Sequence, residues 1–282
     1  MTVKKIIGYI LMFSIVIGCS ESVENLVEDL ESDNSSTRRR AGLTLVQGKG
    51  GPEVVPKLIA LLDSENERTV FLAAQILGSQ ADTTAVQPLG RMMSNPNPNI
   101  RSSAAWSLGS IGHESALPYL EKALDDSVSD VRHSTIRAIG YIHDPSAVKY
   151  IFKMFRDEAD SVRAAAVHSL WMYRSYPEVE VSAADFAVPL NDTSEIVRYV
   201  TVQALGYEVE ADSTVAGEML IEALKDHNKY VRVEAIVSLG KIKYVPAVPD
   251  LKNMYDLSTL EEEFAIAEAI KKISGEDFPP PE

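Results

Sequence analysis

Few side chains in this sequence could do chemistry, and their spacing limits what each could do. The 282 residues include one cysteine, Cys19, and five histidines. A single thiol can serve as a nucleophile or an attachment point, but it cannot close an internal disulfide or build a cysteine-rich zinc site. His133 and His168 could share a metal only with a third ligand beside them. The pattern supplies none, so neither a metal nor another cofactor is expected. His113-Glu114 is the one His-Glu dipeptide. There is no P-loop, no Rossmann glycine motif and no G-x-S-x-G elbow, and no catalytic residue is assigned. The recurrent ionisable feature is an Asp six residues before an Arg, as Asp126/Arg132, Asp157/Arg163, Asp192/Arg198 and Asp226/Arg232. Asn95/Arg101 is a near match. Carboxylates at such places can accept from helix N-terminal N–H groups and from a neighbouring guanidinium.

The surroundings of Cys19 give the thiol its role. Lys4 and Lys5 precede an apolar run from Ile6 to Ile17. That run is shorter than the roughly 20 residues of a membrane span and has the size of a secretory signal's apolar region. Val16-Ile17-Gly18-Cys19 resembles the lipobox of bacterial lipoproteins. The resemblance implies cleavage before Cys19 and lipid on its sulfur. It divides the start of the chain into a signal peptide, 1–18, and a lipidated cysteine with a short tether, 19–22. Each buried lipid CH₂ contributes about 0.8 kcal/mol to membrane affinity. The address implied is the bacterial cell envelope, lipid-anchored and facing the periplasm or cell surface. Ser20, where an inner-membrane retention signal has Asp, favours the outer membrane.

The Arg residues mark a repeat. An apolar residue, Arg, a small residue at +3, Leu or Ile at +7 and usually Gly at +8 recur around Arg101, Arg132, Arg163, Arg198 and Arg232, spaced by 31, 31, 35 and 34. The same phase extends back through Val70 to Arg38 and forward to Glu263. Eight units result, between about Val23 and Gly275. Apolar positions at −1, +3, +7 and +10 form one face of a helix. A second helical pattern precedes each phrase: Glu53 to Leu62, Ala85 to Met93, Ser115 to Leu124, Ala147 to Phe155 and Val215 to Leu224. Pro52, Pro145 and Pro246 lie near such starts. Each unit is therefore a helical hairpin, which can bury its apolar face only by stacking on others.

The unit resembles the HEAT repeat, in the short bacterial form also found in phycobilin lyases. The resemblance implies an all-α fold, an α-solenoid forming a right-handed superhelix of about eight HEAT-like hairpins over 23–275. The Asp–Arg series then reads as a structural ladder between units. The acidic, Pro-rich tail, 276–282, is expected to be disordered. The diiron hydroxylases that share the fold carry His-Glu pairs in their second helices. Here His133 is followed by Ser134, so that activity is not implied.

Positions +1, +5 and +9 of the second helices point away from the packed seam. They hold Trp106, His133, Arg137, Tyr141, His168, Met172, Tyr199, Gln203 and Tyr207, a set rich in residue types favoured at protein interfaces. HEAT-like stacks present this face on their concave side, and a protein or peptide partner is expected there. One unit departs from the pattern: Trp171 replaces the usual Gly, and extra residues fall between Arg163 and Arg198. Lys plus Arg total 27 against 41 Asp plus Glu, a net charge of −14. Cleavage before Cys19 would remove two Lys and take it to −16. Such a balance opposes nucleic-acid binding. The sequence thus points to a membrane-anchored, non-catalytic interaction scaffold with no small-molecule substrate. The alternative is a HEAT-like lyase-type enzyme or enzyme accessory subunit.

Overall fold

The computed structural model describes residues 22–174, 176, 178, 179, 181–207 and 213–279. The signal peptide and Cys19 lie outside the described residues. Among those described, sixteen α-helices and no strand occur. They form eight pairs: α1 (Val23–Asp29) with α2 (Ser35–Val46), α3 (Val54–Leu61) with α4 (Glu67–Gln80), and α5 (Val86–Met92) with α6 (Pro98–Ile111). The series continues with α7 (Leu117–Ala123) and α8 (Ser129–Ile142), α9 (Val148–Met154) and α10 (Asp160–Tyr173), and α11 (Ala187–Leu190) and α12 (Glu195–Leu205). It ends with α13 (Ser213–Ala223) and α14 (Lys229–Lys241), and α15 (Val248–Met254) and α16 (Leu260–Ser274). This is the expected all-α solenoid architecture. The helices belong to two compact units, one ending at Ile111 and one beginning at Gly112.

The expected seam is buried. Val131, Thr135 and Ile139 on α8, Val162, Ala166 and Leu170 on α10, and Val197, Thr201 and Leu205 on α12 are all shielded from solvent. In the first unit α4 packs against α6, and in the second unit α8, α10, α12, α14 and α16 pack in sequence. Gly at +8 permits the close approach. A Cβ on Gly78 would lie 2.8 Å from Cα of Ser107, and one on Gly140 would lie 2.8 Å from Oγ of Ser169. The Ser169 hydroxyl also crosses the seam, donating to the carbonyl of Ile136 at 3.0 Å.

The first helices are short because most open in a 3-10 turn, for example 51–53, 145–147 and 245–247, which contain Pro52, Pro145 and Pro246. Side chains cap these turns and the second helices. Asp144 accepts from Ser146 N, Asn66 from Arg68 N, and Asn228 from Tyr230 N. Each cap satisfies an N–H that the helix leaves without a partner. His113 serves the same purpose, its ring accepting from Ser115 N at 3.2 Å.

The Asp–Arg ladder runs between repeats. The Arg132 guanidinium donates to the backbone carbonyl of Asp126 at 2.8 Å, six residues back. Its Nε and second Nη instead grip Asp157 of the following repeat, at 2.7 and 2.8 Å. Arg163 repeats this with Asp192 at 2.7 and 2.8 Å, and Arg198 with Asp226 at 2.6 and 3.0 Å. Each carboxylate also caps the turn it belongs to, Asp157 accepting from Ala159 N and Asp192 from Ser194 N. The ladder closes on a residue that the Asp spacing does not reveal: Arg232 binds Glu262 at 2.7 Å. Glu262 occupies the −1 position that is Ile or Val before Arg101, Arg132, Arg163, Arg198 and Arg232, and is 3% exposed. Thr259 supports it, with both its N–H and hydroxyl donating to the same carboxylate.

Burial works against ionisation of Asp157, Asp192, Asp226 and Glu262, but their Arg partners and backbone N–H donors hold all four below the usual carboxylate range. The pairs stay ionised because both lone-pair directions are used.

The acidic tail is described as far as Pro279. Glu276 binds Lys252 at 2.8 Å, Asp277 binds Lys271 at 2.9 Å, and the Phe278 ring meets Tyr255 edge-on at 5.0 Å.

Three outcomes follow from this packing. Arg163→Ala, which strands the nearly buried Asp192, should cost about 3 kcal/mol in urea denaturation. Arg163→Lys should recover less than half of that, since an ammonium cannot span both oxygens and the carbonyl. A wild-type midpoint for Arg163→Ala would mean that the ladder does not hold the repeats. Gly42→Ala meets only Leu30 Cδ2 at 3.9 Å and should gain up to about 1 kcal/mol of helix propensity, whereas Gly140→Ala should lower the melting temperature. The four depressed carboxylates bind protons more readily when unfolded, so their contribution is complete above about pH 4.5 and is lost as pH falls below about 4. A melting temperature that stayed flat from pH 4.5 to about 3 would contradict this.

Candidate functional site

The second unit carries eight of the nine residues expected to meet a partner. His133, Arg137 and Tyr141 follow one another at helical spacing on α8, His168 and Met172 lie on α10, and Tyr199 and Gln203 on α12. Tyr207 lies just beyond the C-cap of α12, Gly206. His168, Tyr141 and Tyr207 are exposed, the last at 55%. His133, Arg137, Met172, Tyr199 and Gln203 are half-buried. Trp106 belongs to α6 of the first unit and is 51% exposed.

Within the second unit the side chains touch in a defined order. Arg137 donates to the Tyr141 hydroxyl at 3.1 Å. The His168 and Trp171 rings are 5.5 Å apart, and Trp171 and Tyr207 are also 5.5 Å apart. Lys241 on α14 lies over the Tyr207 ring at 5.0 Å and binds Glu234 at 3.1 Å. Glu234 in turn accepts from the Tyr199 hydroxyl at 3.2 Å. Burial and the unfavourable charge of Glu234 hold the Tyr199 phenol above its usual range.

Desolvation lowers the proton affinity of the half-buried His133 and, through the packed edge of an otherwise exposed ring, of His168, and the positive charge of Arg137 adds to it at both. At His133 the carboxylate of Asp130 opposes the shift in part. Both imidazoles are therefore neutral at pH 7. The face offers a guanidinium, two neutral imidazoles and a run of aromatic rings, which suits recognition by contact and hydrogen bonding.

Trp171, Val200 and Glu234 were not among the expected contact residues. Trp171 was visible in the sequence only as a break in the Gly pattern. Glu234 sits one position from the outward row and reaches it through the length of its side chain. A notch of about 210 Å³ opens between His168, Trp171, Val200, Gln203, Ala204 and Tyr207. A larger cleft of about 1060 Å³ borders α9 and the unusually short α11, but its carboxylates Asp157 and Glu158 bind Arg132 and its Asp125 binds Lys153.

Among the described residues, no group of three or more His, Cys, Asp or Glu is placed to hold a metal ion. Nor, among them, is any helix long and apolar enough to cross a membrane. His113 and Glu114, the one His-Glu pair, belong to a capped turn.

No curated protein matches the sequence. Solved structures do match in fold. YibA of Escherichia coli superposes with a TM-score of 0.61 at 22% identity, over 90% of this chain and 92% of that one. A chain from the complex of CpcE and CpcF of phycocyanin lyase, from Nostoc sp. PCC7120, gives 0.48 at 19% identity, over 91% of this chain and 96% of that one. Human deoxyhypusine hydroxylase gives 0.41 at 21% identity, over 90% and 96%. The sequence profile of HEAT repeats matches residues 55–138, 129–186 and 184–271. These matches span most of the chain, which belongs to the HEAT-repeat family.

Proposed function

We propose that the protein is a lipid-anchored scaffold of the bacterial cell envelope that holds a protein partner and catalyses no reaction itself. The observation that carries this reading is the face formed by α8, α10 and α12. It gathers the half-buried Arg137 and Tyr199 with the exposed Tyr141, His168 and Tyr207, supported from beneath by a packed seam. Aromatic and Arg side chains held in this way lose little conformational freedom on binding, which is the economy of an interface hot spot. HEAT repeats are in general protein-interaction modules. The anchor rests on Val16-Ile17-Gly18-Cys19 and the basic, apolar segment before it. It would hold the solenoid at the extracytoplasmic membrane surface, the outer membrane being favoured by Ser20.

The test uses a photo-crosslinking amino acid in the full chain, expressed in a bacterium and left in its membrane. Placed at Tyr207, it should give one discrete adduct that is absent when the probe sits at Val245, an exposed residue of the turn before α15. Equal adducts from both positions, or none from Tyr207 and Tyr141, would defeat the reading. Cys19→Ser should abolish incorporation of labelled palmitate and release the protein from membranes. Retention with undiminished label would remove the anchor.

A further inference from the structure

On the reading that this face of the second unit binds protein, we propose that it recognises a peptide segment in which a carboxylate lies within two residues of a bulky apolar side chain. The carboxylate goes to Arg137, and the apolar group enters the notch between His168, Trp171 and Tyr207.

Arg137 differs from the other Arg residues on the second helices of this unit. Arg132, Arg163, Arg198 and Arg232 are each closed by a carboxylate of the next repeat. Among the described residues Arg137 has no carboxylate partner, only the Tyr141 phenol. This is a half-buried cation left open in a chain whose net charge is −14. A planar guanidinium with free N–H groups fits a carboxylate in two-point fashion. The neighbouring imidazoles of His133 and His168 are neutral and offer no competing anion. Of the acids beside this face, Glu234 is already bound to Tyr199 and Lys241, and Asp130 on α8 acts on His133.

The notch has a structural cause. In the α8 and α14 repeats Gly140 and Gly240 admit the adjoining helix as close as Ser169 and Ala269. Trp171 fills that place on α10, so its indole stands beside Tyr207 with Ala204 and Val200 as the floor. A space of about 210 Å³ lined by rings takes one large side chain. Lys241 occupies the face of Tyr207, which disfavours a cationic guest there. The two halves adjoin, because Arg137 stands on α8 and His168, which lines the notch, on α10, and these helices pack against each other. An apolar group and an acid close together in a peptide would engage both.

The experiment selects phage-displayed random heptapeptides on the full chain in detergent, then measures synthetic peptides by fluorescence anisotropy. Enriched sequences should pair Asp or Glu with Leu, Met, Phe or Trp within two positions. An asparagine twin of the best peptide should bind at least about tenfold more weakly. Arg137→Gln should remove that difference between the twins, while Trp171→Ala should weaken both equally. Equal binding of the twins to the unaltered protein, or a difference that survives Arg137→Gln, would overturn the proposal, as would the absence of any enriched sequence. If the twins bind equally but Tyr207→Ala abolishes binding, the face is a protein site and only the carboxylate preference falls. If Tyr141→Ala and Tyr207→Ala both leave binding intact, the face itself is not the site.

Discussion

A helical hairpin of about 31 residues cannot bury its own apolar stripe, and everything else in this molecule follows from that shortage. The stripe of each second helix needs the next second helix against it. Close contact requires small residues on both sides, so Gly140 faces Ser169 and Gly78 faces Ser107. Dispersion forces fall away within an ångström of optimal separation, which makes these small residues energetic requirements. With the seam this tight, polar groups at the helix ends cannot rely on water, and the turns must supply their own partners.

The Arg–carboxylate ladder meets that need. Each Asp satisfies a backbone N–H of its own turn and a guanidinium of the preceding repeat, and each Arg returns a donor to a carbonyl six residues back. One pair thus fixes both the local turn and the offset between neighbours. A buried ion pair contributes little net stability when set against an apolar replacement. Its worth here is registry: sliding one hairpin along another would leave two ions unpaired in a dry place.

Much of this was legible because packing imposes a period. The buried positions −1, +3 and +7 are dictated by helix geometry, and Val131, Thr135 and Ile139 obey it as Val197, Thr201 and Leu205 do. The Asp–Arg spacing marked the ladder's members, although the side-chain bond joins different repeats from those the six-residue spacing suggests. Glu262 escaped notice because it took an apolar slot in the helix itself, tolerable only with Arg232 and Thr259 around it. The outward face was legible in residue identity and not in contact. Whether His133 is half-buried or exposed depends on the neighbouring side chains, and Glu234 reaches the row through its length. Trp171 announced an irregularity without saying that it would form the wall of a notch.

The irregular repeat also explains how a scaffold built on repetition can carry a particular site. Positions in the seam and ladder are constrained alike in each repeat, so chemical individuality is confined to the outward row and to places where the period breaks. Trp171 breaks it on α10, where an indole replaces the Gly that would bring α12 close. The neighbouring contacts compensate. Tyr173 is fully buried and donates to the carbonyl of Ile139 at 3.0 Å, binding α10 to α8, while Arg163 holds Asp192 just before α12. The α10–α12 seam can therefore carry a large ring because it is flanked by a phenolic bond on one side and an ion pair on the other.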